Sequence, residues 1–104
     1  MVSISAYTTT RNAVEMDYPF EESIRSMLQF ADEVVVLDSG SGFGRPNPTG
    51  KRLLELAEQD SRISVVLTSI FDWSAPNHGI FDGQTKALAR SYCKGDFLWQ
   101  FDTD

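Results

Sequence analysis

The stretch EVVVLDSGSG, residues 33–42, decides the fold. Val34, Val35, Val36 and Leu37 follow one another with no polar residue between them. A strand wetted on one face alternates apolar and polar residues. A strand covered on both faces does not, and such strands belong to parallel sheets held between helices. Asp38, Ser39 and Gly40 then break the run sharply. The strand is read over residues 33–37, with Asp38 at its carboxyl end.

Working outward, VSISAY (2–7) alternates and reads as a strand, followed by the polar loop TTTRN. YPFEESIRSMLQFA (18–31) changes period to that of a helix. Pro19 suits a first turn, and Glu21 and Glu22 suit its positive end. Phe20, Ile24, Met27, Leu28 and Ala31 fall on one face. Downstream, Pro46 and Pro48 make GRPNPTG a loop. Thr49 is the expected cap of a helix KRLLELAEQ (51–59), with Leu53, Leu54 and Ala57 inward. ISVVLT (63–68) is a third strand, and SIFDWSAPNHGIF is a long loop. Asp82 is expected to cap a third helix running to about Cys93, with Gly95 as its stop. DFLWQF (96–101) is a fourth strand. The order β-α-β-α-β-α-β with right-handed crossovers predicts a three-layer α/β/α, Rossmann-like, mainly parallel sheet in a single domain over residues 1–104.

Composition agrees with a globular domain: 41% hydrophobic and 23% charged. The net charge of -6, with no basic run, argues against a nucleic-acid partner. The single cysteine, Cys93, excludes an intrachain disulfide and reads as a core or boundary thiol of a reducing compartment. MVSISAYTTTR has neither the basic start nor the long apolar run of a secretory segment. VVVL is far short of the roughly 20 apolar residues of a membrane span. The expectation is a cytoplasmic protein, free or peripheral to a membrane.

Ligands of open parallel sheets sit beyond the carboxyl ends of the strands. That rule groups Tyr7 to Arg11, Asp38 to Ser41, Thr68 to Trp73 and Asp102 to Asp104 on one edge. Asp38 reads either as a carboxylate at a ligand crevice or as a turn residue capping its own backbone. Arg11 reads as a partner for phosphate or for Asp38, or as a solvated arginine. GSGFGRPNPTGKR fits no phosphate loop, because Arg52 follows Gly50 and Lys51, and Arg45 stands where the first glycine belongs. Lys51 and Arg52 then read as a solvated helix start or, alternatively, as partners for a phosphate. His78 is the lone histidine and a loop residue. Asp72 and Trp73 pair a carboxylate with an aromatic platform. Lys86 and Arg90 share a helix face, and Lys86 either reaches the crevice or is solvated. Asp102 and Asp104, one residue apart after an apolar strand, are hard oxygen donors of the kind that hold a divalent cation together with a substrate phosphate. In an acidic protein, such a cation makes an anionic ligand acceptable.

In order along the chain, the strand VSISAY with its Thr/Arg/Asn loop, QFADEVVVLDSGS, the helix and strand ending ISVV, and GQTKALARSYCKGDFLWQFDTD resemble the N-terminal half of a family 2-type glycosyltransferase of GT-A fold. The resemblance implies a metal-dependent enzyme that transfers a sugar from a nucleotide-diphospho-sugar, with uracil a frequent base, to an acceptor that is a glycan, lipid or protein. It implies that Ala6, Tyr7 and Thr8, together with Asp38 and Ser39, hold the base, and that Arg11 lies beside the nucleotide. Lys86 would face the diphosphate, Asp102 the ribose or the metal, Thr103 the bound nucleotide, and Asp104 the Mn or Mg ion. The general base and the acceptor site lie beyond the D-x-D in that family. GFGRPNPTG and SIFDWSAPNHGIFDG are longer than the family's usual connections. A GT-A domain also usually exceeds twice this length, so the resemblance implies a fold incomplete at its C-terminus, inactive by itself. The alternatives are a non-catalytic nucleotide- or metal-binding α/β domain, a phosphoacceptor domain using Asp38, and a structural partner in an assembly.

Overall fold

Four strands and three helices alternate along the chain in a computed structural model that describes residues 3–14, 16–40, 47–68 and 80–102. They are β1 (Ile4–Thr10), α1 (Phe20–Met27), β2 (Glu33–Asp38), α2 (Pro48–Gln59), β3 (Ile63–Leu67), α3 (Ile80–Ser91) and β4 (Phe97–Gln100). The strands form one sheet in the order β3-β2-β1-β4, and every neighbouring pair is parallel. The architecture is a three-layer, Rossmann-like α/β fold.

The direction of travel across the sheet explains which helix covers which face. The chain steps from β1 to β2 to β3 one way, then returns past β1 to place β4. Crossovers of one hand put α1 and α2 on the first face and α3 on the second. The buried side chains sort accordingly. Ala6, Val34, Val36 and Ile63 pack with Phe20 and Ile24 of α1 and Leu53 and Leu56 of α2. Tyr7, Val35 and Leu37 pack with Ala89 of α3. Alternate residues of the apolar run 34–37 thus serve opposite layers, which is why that run has no polar member.

Several local details differ from expectation. β1 does not end at Tyr7; Thr8, Thr9 and Thr10 continue it, opposite Val36, Leu37 and Asp38. Their β-branched side chains suit a strand, and the partner strand is there to pair with them. α1 closes at Met27 rather than Ala31, with Phe30 N–H donating to Met27 O at 3.0 Å in a tightened turn. α2 begins at Pro48, and Asn47 caps it by accepting from Gly50 N–H at 2.9 Å. Thr49 instead lies inside the first turn, where its Oγ1 accepts from Val14 N–H at 3.0 Å. Leu54 is exposed, and Leu56 takes the inward place beside Leu53. α3 starts at Ile80, so Asp82 stands in its first turn, and it ends at Ser91. Gly95 is needed for a different reason than stopping a helix: a Cβ there would stand 2.8 Å from the backbone N of Ser5.

Candidate functional site at the carboxyl edge of the sheet

Strand register brings the candidate residues to one edge. Thr10 lies opposite Asp38, and Asp38 opposite Leu67. On the other side Tyr7 lies opposite Gln100, Phe101 N–H donates to Tyr7 O at 3.1 Å, and Asp102 follows. The strand order reverses between β1 and β4, because the chain leaves β1 toward β2 and comes back to β4. A crevice opens at such a reversal in parallel sheets. In this sheet Arg11 and Asn12 follow β1 and Asp102 follows β4, on either side of the reversal.

Asp38 is fully buried and is bound into the fold. Thr10 Oγ1 donates to its Oδ1 at 2.8 Å. Ser39 N–H donates to Thr10 O at 3.0 Å, and Thr68 N–H donates to Asp38 O at 3.0 Å. These bonds tie the ends of β1, β2 and β3 together. Beside them Asn12 adopts a left-handed backbone (φ 56°), a conformation asparagine tolerates well. Asn47 Nδ2 reaches Asn12 Oδ1 at 3.5 Å. Gly40 fits between the two: a Cβ there would meet Asn47 Nδ2 at 2.9 Å and Asn12 Oδ1 at 3.0 Å. The turn after β2 is thereby packed against the loop after β1 and the start of α2.

The other expected site residues are distributed unevenly. Ala6, Tyr7 and Thr8 lie inside β1 and are buried, and their positions are paired with β2, with Ala6 and Tyr7 also paired with β4. The edge of β1 is formed by Thr10 and Arg11, later in the sequence than expected. Arg11 is exposed, Ser39 is almost wholly buried, and Asp102 is exposed. Lys86 is partly buried on α3. It is six residues from Ile80, the start of the helix, or about 9 Å along the axis. Thr103 and Asp104 lie outside the described residues, as do Arg45, Asp72, Trp73 and His78.

Among the described residues, no three carboxylate, imidazole or thiol groups gather as a metal site. Asp102 supplies one exposed hard-oxygen donor at the edge. That suits a cation held by one or two carboxylates and by phosphate oxygens, with Asp104 the other carboxylate in question. Asp38, bound to Thr10 and covered, does not suit a metal ligand.

An open cavity of about 340 Å³ lies beside the start of α1, with Asp17, Glu21 and Glu22 in its lining. Its carboxylates disfavour phosphate. Glu21 accepts from Arg52 at 2.8 Å, and that hydrogen bond holds its carboxyl below the usual range. Cys93 is no ready nucleophile: partial burial, and then the nearby Glu33 charge, push its thiol up to about 11.

Sequence reasoning placed Thr10 and Gly40 on this edge without their packing roles, and it did not name Asn12 or Asn47 as part of the frame. Asn47 carried a signal, since asparagine just before a proline is a helix start. Thr10 became legible only with the register that sets it opposite Asp38. No protein-family model matches the chain, and no curated protein matches it. The fold stands as Rossmann-like α/β, and no described helix is long and apolar enough to cross a membrane.

Proposed function

We propose that the carboxyl edge binds the nucleotide and metal of a nucleotide-diphospho-sugar, and that the chain is the donor-binding part of a GT-A glycosyltransferase resembling family 2. The observation that carries this reading is the strand order β3-β2-β1-β4. It sets Arg11 and Asp102 on either side of the reversal between β1 and β4, with Asp38 one strand away. In the proposed site Arg11 meets the nucleotide phosphate. Asp102 and Asp104 hold Mn or Mg, which offsets the charge on the departing diphosphate. Lys86 approaches the diphosphate from α3. The buried Asp38 acts through Thr10 and Ser39 by fixing the turn that the base would rest on.

The test is calorimetric titration of the chain with a panel of nucleotide-sugars, with manganese and with EDTA. Manganese-dependent binding of a UDP-sugar, weakened at least tenfold by Asp102→Asn, is the expected result. Absence of metal-dependent binding across the panel overturns the reading. Binding of UDP and manganese without sugar turnover by the full-length protein would favour the non-catalytic binding domain instead.

A further inference from the structure

At the amino end of the sheet, far from the candidate site, a polar cluster joins β1, β2 and the turn that leads from α3 into β4. Ser5 of β1 lies beside Glu33 of β2 in register. Ser5 is fully buried, and its hydroxyl donates to Glu33 Oε2. Lys94 N–H donates to the same oxygen at 2.6 Å, and Gly95 N–H donates to Ser5 Oγ at 2.7 Å. One residue on, Asp96 N–H donates to Ser3 Oγ and Ser3 N–H donates to Asp96 Oδ2, each at 3.1 Å. Two successive N–H groups of the turn are thus fastened to two neighbouring strands.

β4 needs such a fixture because its own residues do not fix its register. Alternation of apolar and polar residues sets a register, since a slip of one residue turns every side chain to the other face. Phe97, Leu98 and Trp99 are apolar in succession, so a slipped strand still presents apolar residues to both faces. The turn is less tolerant. A Cβ at Gly95 would stand 2.7 Å from Ser5 Oγ and 2.8 Å from Ser5 N. A slip of one residue brings Lys94 or Asp96 to that place, and each carries the Cβ that does not fit. No other glycine lies between Gly83 and Asp104. Further along the same strand Phe101 N–H donates to Tyr7 O at 3.1 Å, and Asp102 follows. A slipped β4 would offer Phe101 or Thr103 where Asp102 belongs.

We propose that Glu33, acting through Ser5 and the Lys94–Gly95 turn, is a positioning residue for Asp102: it fixes the register of β4 from the opposite end of the sheet. The proposal rests on the donor-site reading for what Asp102 does, and on the polar cluster alone for where Asp102 stands. What the cluster asks of residue 33 is an oxygen that accepts two hydrogen bonds. A glutamine carbonyl oxygen has that capacity, whereas leucine, close in size, has no acceptor. Asp32 does not stand in for Glu33, because its Oδ2 accepts from Ile4 N–H at 2.7 Å.

The test compares Glu33→Gln, Glu33→Leu and Ser5→Ala with the parent chain by two measurements. Nuclear Overhauser contacts between Ser5 and Leu98, and between Tyr7 and Gln100, read the register without metal or nucleotide. Calorimetric titration with manganese and UDP reads the consequence, on samples whose circular dichroism matches the parent. Glu33→Gln should keep the contacts and bind within about twofold of the parent, whereas Glu33→Leu should lose them and bind about tenfold more weakly or worse. Should Glu33→Leu fail to fold, Ser5→Ala, which removes a single hydroxyl, gives the same comparison. Parent-like contacts in Glu33→Leu or, in its place, Ser5→Ala overturn the proposal. So do lost contacts with unchanged manganese binding. If the parent itself binds no manganese with UDP, the donor-site reading falls, while the contacts still decide whether Glu33 sets the register.

Discussion

Thr10 donates a 2.8 Å hydrogen bond to the fully buried carboxylate of Asp38, joining the last residues of two neighbouring strands. A buried carboxylate depends on its donors, since it has exchanged water for them. Thr10→Val preserves shape and removes that donor. It should cost about 1–3 kcal/mol of stability, measured by urea unfolding. A cost within about 0.5 kcal/mol would mean the bond contributes little beyond ordinary surface contacts.

Two glycines should respond in opposite directions. Gly95→Ala forces a methyl against the backbone of Ser5 at 2.8 Å and should destabilise by about 1–3 kcal/mol. Gly83 lies within α3, and a Cβ there meets nothing within 4 Å. Gly83→Ala should therefore stabilise by about 0.5–1 kcal/mol through helix propensity and reduced freedom of the unfolded chain. Thermal melts of the two variants, compared side by side, check both signs.

The cap of α2 offers a sharper test of assignment. Asn47→Ala should lose about 1 kcal/mol, whereas Asn47→Asp keeps the acceptor for Gly50 N–H and should stay close to the parent. Equal losses in the two variants would shift the stabilising role to the 3.5 Å contact with Asn12.

Cys93 makes stability fall at high pH. Burial holds its thiol at about 11 in the folded chain, above its ordinary value of 9.0. The folded state therefore retains a proton that the unfolded state releases, so this contribution is present below pH 9.0 and is lost as the pH rises toward about 11. The parent should lose more stability than Cys93→Ala across that window. Alkylation by iodoacetamide at pH 8 should also be slower than for a free thiol. Parallel pH profiles for parent and variant would remove Cys93 as the cause.

The order of elements was legible because each reports its surroundings through spacing. The unbroken run 34–37 announced a strand with two covers, and Phe20 and Ile24 marked a helix with one buried face. Thr8, Thr9 and Thr10 misled because three hydroxyl residues resemble a loop; Thr10 is a strand residue whose hydroxyl has a carboxylate to bond. Thr49 and Asn47 are both good caps by type. The choice fell to Asn47 because Pro48 opens the helix and the Thr49 hydroxyl meets Val14. At the edge, the register sets Asp38 opposite Thr10, just before Arg11, and Gln100, two residues before Asp102, opposite Tyr7. The burial of Asp38 was not readable, because it depends on the register that sets Thr10 beside it.

β1 has neighbours drawn from opposite ends of the sequence. It pairs with β2 soon after it, and with β4, whose Asp96 meets Ser3 across a separation of 93 residues. During synthesis the first strand leaves the ribosome long before that second neighbour exists. The nascent chain can pair β1 with β2 and β2 with β3, while the flank of β1 at Ser5 and Tyr7 stays bare until β4 emerges. Until then that flank is an unpaired strand edge, open to pairing between unfinished chains at high expression.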